Sequence, residues 1–206
     1  MAYCSICGSK DMLVTYNGPI RIGQGSKRTE KSYEVYQCSN CDTIWHENDV
    51  YSPEEYYEST QYRVELEGSS DIHNFYDKHD KECFDKFRYT GTGIFRDKVV
   101  ADIGCGGGGW LDFLKGVARM TVAVEPSEYY RNCLKEKGHR AFAYMNDAFT
   151  EFSDKIDVLT SFDVIEHVAG PQSFVNDVFQ LVGGPKTRFK PPLRSKLMKI
   201  PSDGSE

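Results

Sequence analysis

The stretch Asp102-Ile103-Gly104-Cys105-Gly106-Gly107-Gly108-Gly109 stands between a short apolar run, Val99-Val100-Ala101, and an amphipathic segment with Trp110, Leu111, Phe113 and Leu114. Strand, glycine-rich turn and helix in that order put the turn at the carboxyl end of a buried strand, where an open parallel sheet binds its ligands. The glycines permit a tight turn and let the backbone approach a ligand, while the following helix start offers unpaired N–H groups. Alone, the turn is a weak signal, because it also serves as a plain connection between strand and helix. Glu125 adds to it. It follows the next apolar run, Thr121-Val122-Ala123-Val124, about twenty residues on, where a carboxylate can accept both hydroxyls of a ribose.

The alternation continues outward. Ser127 caps a helix that stops at Gly138, residues 141–145 read as a third strand, and residues 156–162 read as a fourth. Pro171 opens a last helix, with Phe174, Val175, Val178, Phe179 and Val182 inward, closed by Gly183-Gly184-Pro185. Strands alternating with helices predict an α/β fold, a Rossmann-like doubly wound parallel sheet covered on both faces. Upstream, Ser52-Pro53-Glu54-Glu55 starts one helix, and a second covers residues 71–88, with Phe75, Cys83 and Phe87 on its inner face.

Seven cysteines is an odd number, and four of them form two pairs, Cys4-x-x-Cys7 and Cys38-x-x-Cys41. Two such knuckles place four thiolates on one tetrahedral ion, the pattern of a closed, structural zinc site. A small zinc-ribbon over residues 1–46 follows, since a region this short needs a staple. A helical lead-in then spans residues 47–97, the sheet domain residues 98–184, and a basic, irregular tail residues 185–206. The formal net charge of -6 argues against broad nucleic-acid binding, which needs a basic footprint. No apolar run approaches the roughly 18 residues of a membrane span, and the first residues show no signal pattern, so a cytoplasmic protein is expected.

Four segments carry a family resemblance. Asp102-x-Gly104-x-Gly106-x-Gly108 resembles the first motif of class I S-adenosylmethionine-dependent methyltransferases, although the glycine run also loosely fits the G-x-G-x-x-G of NAD and FAD proteins. Val122-Ala123-Val124-Glu125-Pro126-Ser127 resembles the family's second motif, and Asn146-Asp147-Ala148 its adenine turn. The segment from Asp157 through Phe162-Asp163-Val164-Ile165-Glu166-His167-Val168 resembles the motif after the fourth strand in small-molecule methyltransferases. Together they break the tie toward S-adenosylmethionine. The resemblance implies that Asp102, Gly104, Cys105, Gly106 and Gly108 face the methionine end and Glu125 the ribose. It further implies that Asp147 and the Ala148 amide hold adenine, with Phe162 and Asp163 beside the cofactor. His167 is the candidate catalytic base, a residue type that changes charge near neutrality, although a histidine there also caps or packs. A zinc-ribbon ahead of such a domain resembles enzymes of surface-polysaccharide and deoxysugar biosynthesis, which implies a small-molecule acceptor such as a nucleotide-linked sugar. Tyr56, Tyr57 and Tyr62 are then candidate acceptor contacts, or packing residues.

The family's sheet has seven strands, and the chain after Val182 does not supply them. Residues 186–190 make at best a fifth strand before Pro191-Pro192. An incomplete, C-terminally truncated sheet of about four or five strands is expected, with an open edge that a homodimer or a second chain covers. Two other readings stand beside methyl transfer to a small molecule. One is a non-catalytic, truncated cofactor-binding or assembly protein. The other is a nucleic-acid methyltransferase using the ribbon and the basic tail.

Overall fold

The computed structural model describes residues 3–21, 27–46, 54–168 and 170–182. The expected tail and fifth strand lie outside the described residues, as do Ser52 and Pro53. The N-terminal unit is a three-stranded antiparallel sheet, β1 (Met12–Arg21), β2 (Arg28–Cys38) and β3 (Ile44–His46), in that spatial order. Next come three helices: α1 (Glu54–Glu58), α2 (Gln61–Glu67) and the long α3 (Ile72–Thr90). Asp71 starts α3 by accepting the backbone N–H groups of His73 at 2.9 Å and Asn74 at 3.2 Å.

The remaining elements are β4 (Val99–Ile103), α4 (Gly109–Leu114), β5 (Met120–Val124), α5 (Glu128–Glu136), β6 (Arg140–Phe142), α6 (Met145–Phe152), β7 (Val158–Ser161) and α7 (Pro171–Leu181). The strands form a parallel sheet in the order β6-β5-β4-β7. This bears out the α/β reading. β4 is buried along its whole length because both faces are covered. Val100 points to a cluster with Trp110, Leu111, Leu114 and Leu134, whereas Val99, Ala101 and Ile103 point to one with Ala148, Phe152, Ile156 and Leu181. Chain order reverses beside β4, with β5 on one side and β7 on the other, and that is where a crevice opens at the strands' carboxyl ends.

The third strand is shorter than expected. It ends at Phe142, and Met145 already belongs to α6. The cause is local: the Asp147 carboxylate accepts the Tyr144 backbone N–H at 3.2 Å and starts the helix, while Ala148 and Phe152 supply its buried face. Among the described residues no helix is long and apolar enough to cross a membrane.

Gly108 joins the turn to α4 with φ +81°, and a Cβ there would sit 2.4 Å from Leu134 Cδ2. Leu134 is fully buried and cannot swing away. Gly108→Ala should therefore lose about 2–4 kcal/mol of stability, from left-handed strain plus overpacking, measured by urea unfolding.

Candidate functional site

The glycine turn is fixed from two sides. The Gly104 amide donates to Val124 O at 2.8 Å, tying the turn to the end of β5. Gly104 itself has φ +71°, and a Cβ would come within 2.3 Å of Val164 Cγ2, so the segment after β7 packs directly on it. Glu125 closes the other side. It is 8% exposed, and its carboxylate accepts the amides of Gly106 at 2.8 Å and Ser127 at 2.9 Å. Burial pushes its carboxyl above the ordinary range, against the pull of those two amides and of the nearby Arg63 charge. Asp102 is 3% exposed and accepts the Thr160 hydroxyl at 2.7 Å. Burial raises its carboxyl to about 7.

These groups border one cavity of about 930 Å³, within the range of small-molecule and cofactor sites. Of the residues expected at the site, Asp102, Gly104, Cys105, Glu125, Phe162, Asp163 and His167 line it. Gly106, Gly108, Asp147 and Ala148 do not. Gly106 is packed under Phe75 and Arg63, and its amide is taken by Glu125. Asp147 is an exposed helix cap, and Ala148 is fully buried with its amide donated to Tyr144 O at 3.3 Å. Tyr144, Met145 and Asn146 occupy the wall where that turn was expected.

The lead-in helices form the opposite wall. Tyr57 and Tyr62 line the cavity, while Tyr56 turns to donate its hydroxyl to Glu65 at 2.8 Å. The three rings cluster at centroid distances of 5.3–5.7 Å. Tyr57 Oη lies 3.5 Å from His167 Nδ1, so α1 reaches across to the short helical turn of residues 165–167. Glu58 makes a second bridge, accepting the Tyr144 hydroxyl.

Two cations on this wall escape the sequence reading. Arg63 is stacked against Tyr62 and Phe75 and bonded to Glu67. Lys86 lies 2.6 Å from Glu82, 4.0 Å from Asp163 and 4.2 Å above the Phe162 ring. Each reads in sequence as half of an i,i+4 surface pair, and only the packing of α2 and α3 over the turn makes it a cavity residue.

A second constellation lies in the N-terminal unit. The sulfurs of Cys4, Cys7, Cys38 and Cys41 all fall within 4.8 Å of one another, a set that could hold a metal ion. Cys4 and Cys38 are buried, and Cys7 and Cys41 are exposed. Matching turns present them: the Gly8 amide donates to Cys4 O at 2.8 Å, and the Asp42 amide to Cys38 O at 3.0 Å. Hydrogen bonding by the Asn40 side chain pulls the Cys7 thiol down to about 6. Four convergent sulfurs suit the soft, tetrahedral donor set of zinc. The Gln172 side chain, on α7, donates to Ile6 O at 3.1 Å and docks this knuckle against the sheet domain.

Asp102 makes the site's cost measurable. Unfolded, the carboxyl titrates near 3.8, whereas in the fold burial holds it at about 7. The unfolded chain releases this proton first, so stability falls as pH rises from about 4 to about 7. Asp102→Asn removes that loss. Relative to the parent it should gain about 2–4 kcal/mol between about pH 4 and about pH 8, read by urea unfolding at each pH.

No curated protein matches the chain. Among solved structures, the Trypanosoma brucei PRMT1 enzyme-prozyme heterotetrameric complex with AdoHcy contains a chain that is 25% identical, at a TM-score of 0.28. The match covers 49% of this chain and 29% of that one, so the chain spans under a third of that protein's length. A family model described as a methyltransferase domain matches residues 76–189, more than half of the chain, from within α3 past the end of α7. The chain belongs to that family, the class I S-adenosylmethionine-dependent methyltransferases.

Proposed function

We propose that the cavity binds S-adenosylmethionine and that the chain methylates a small-molecule acceptor, with a nucleotide-linked sugar the specific candidate. One observation carries this reading. Asp102, the glycine turn and Glu125, which come from two strands, converge on the same cavity that His167 borders. The residues fit the cofactor chemically. Each Glu125 oxygen accepts one backbone amide and keeps a lone pair for a ribose hydroxyl. Asp102 offers a buried carboxylate to the ammonium of the methionine end. The wall of Tyr144, Met145 and Asn146 faces the adenine, with Asp147 and Ala148 acting behind it by holding the first turn of α6.

Bound there, the cofactor supplies an electrophilic methyl on a sulfonium. The chain's own contribution is to position the acceptor, which supplies most of the rate in an in-line displacement. Tyr57 and Tyr62 give the acceptor an aromatic wall, and a ring nitrogen of His167 takes the proton that an oxygen or nitrogen acceptor must lose. The cysteine cluster takes structural zinc, and residues 1–46 act as a ribbon that braces the domain rather than as a reactive centre.

Calorimetry with S-adenosylhomocysteine tests the cofactor, with an expected Kd of about 1–100 µM; no heat at millimolar ligand sinks the assignment. In an acceptor panel, His167→Ala should lower turnover by about 10²–10⁴-fold and leave the S-adenosylhomocysteine affinity unchanged. Binding with no turnover on any acceptor would favour the non-catalytic alternative. Metal analysis should find about one zinc per chain, lost on Cys38→Ser, and a metal-free parent chain would refute the ribbon.

A further inference from the structure

The parallel register of β4 and β7 sets Thr160 directly beside Asp102. The Thr160 hydroxyl has one proton and two acceptors within reach, Asp102 Oδ1 at 2.7 Å and Ala101 O at 3.2 Å. The indole N–H of Trp110 donates to the same hydroxyl at 3.1 Å and occupies one of its lone pairs. Trp110 is 3% exposed. It is held nearly perpendicular to Phe95 on one side and Phe162 on the other, both at 5.5 Å between centroids. Its donor is therefore fixed in direction, and the hydroxyl's single proton goes to the nearer, charged acceptor. Among the described residues no protein donor reaches Asp102 Oδ2, and Asp102 lines the cavity.

We propose that Trp110 and Thr160 are positioning residues that hold Asp102 with one oxygen anchored and the other presented to the ammonium of the cofactor's amino-acid end. The inference rests on the cofactor reading above and extends it to Thr160, which lies behind the cavity lining, and to Trp110, which borders the cavity. The relay also favours the ionised carboxylate, since Thr160 donates to it. Facing Asp102 are Lys86 and Cys83 from α3, Cys105 from the turn and Glu125 just after β5. Lys86 stabilises the carboxylate, whereas Glu125 and burial oppose it.

The test compares two probes, S-adenosylhomocysteine and 5′-methylthioadenosine, which lacks the amino-acid end. Thr160→Val should weaken S-adenosylhomocysteine about tenfold, the worth of one hydrogen bond to a charged group, and leave methylthioadenosine unchanged. Thr160→Ser should restore the parent preference, and Trp110→Phe should give a smaller loss with the same selectivity. Parent affinity for S-adenosylhomocysteine should fall as pH drops through the Asp102 titration, and Thr160→Val should move that edge to higher pH. Equal weakening of both probes, or a pH edge that stays in place, would show a merely structural role and overturn the proposal. Should the parent bind both probes equally tightly, the relay fails while the cofactor reading stands; should it bind neither, both fall.

Discussion

Glu125, at the carboxyl end of β5, accepts the Gly106 and Ser127 amides and so ties the end of one strand to the turn leaving its neighbour. The cavity depends on that brace. A turn containing three glycines at positive φ has little conformational preference of its own, and its entropy must be overcome by external bonds. A carboxylate in a buried position is costly, but two charge-assisted amide bonds of about 1.5–3 kcal/mol each offset much of that cost. Glu125 also borders the cavity. Bracing the turn and bordering the cavity are thus one arrangement of one side chain.

Asp102 repeats the logic one strand over, with a hydroxyl in place of amides. Its burial costs stability, and the Thr160 hydroxyl that it accepts offsets only part of that cost. A buried carboxylate that weakens the fold and borders a cavity is the pattern expected of a group retained for a ligand. The two acids sit on adjacent parallel strands, at the place where chain order reverses, so the topology alone brings them to the same opening.

How much of this is legible in the sequence depends on the range of the interaction that sets each feature. The turn, β4, β5 and Glu125 are legible because the apolar period and the glycines are local. The four cysteines are legible because knuckle spacing is itself the geometric requirement. Asp147 is not, because Asn146-Asp147-Ala148 has the composition of a turn. Its capping bond and the burial of Ala148 and Phe152 make it a helix start, and that burial exists only once the sheet has formed. Arg63 and Lys86 are illegible for the same reason. Thr160 is the sharpest case, since its meaning comes entirely from the register of two strands nearly sixty residues apart.

The N-terminal unit lies outside the family match, yet it is mechanically joined to the cavity. Cys4 and Cys7 flank the turn whose Ile6 carbonyl receives Gln172 from α7. On the same helix Ser173, Phe174 and Asp177 line the cavity, so the face of α7 that docks the knuckle and the face that walls the site are set by one rigid element. From the other direction, α1 reaches His167 through Tyr57 and Tyr144 through Glu58. Parts added ahead of the sheet domain therefore touch the segments after β6 and β7. The same lead-in helices also press on the glycine turn, with Phe75 and Arg63 over Gly106 and the Tyr76 hydroxyl donating to Gly107 O. Elements added ahead of the sheet thus shape the cavity at the turn as well as at the two later segments.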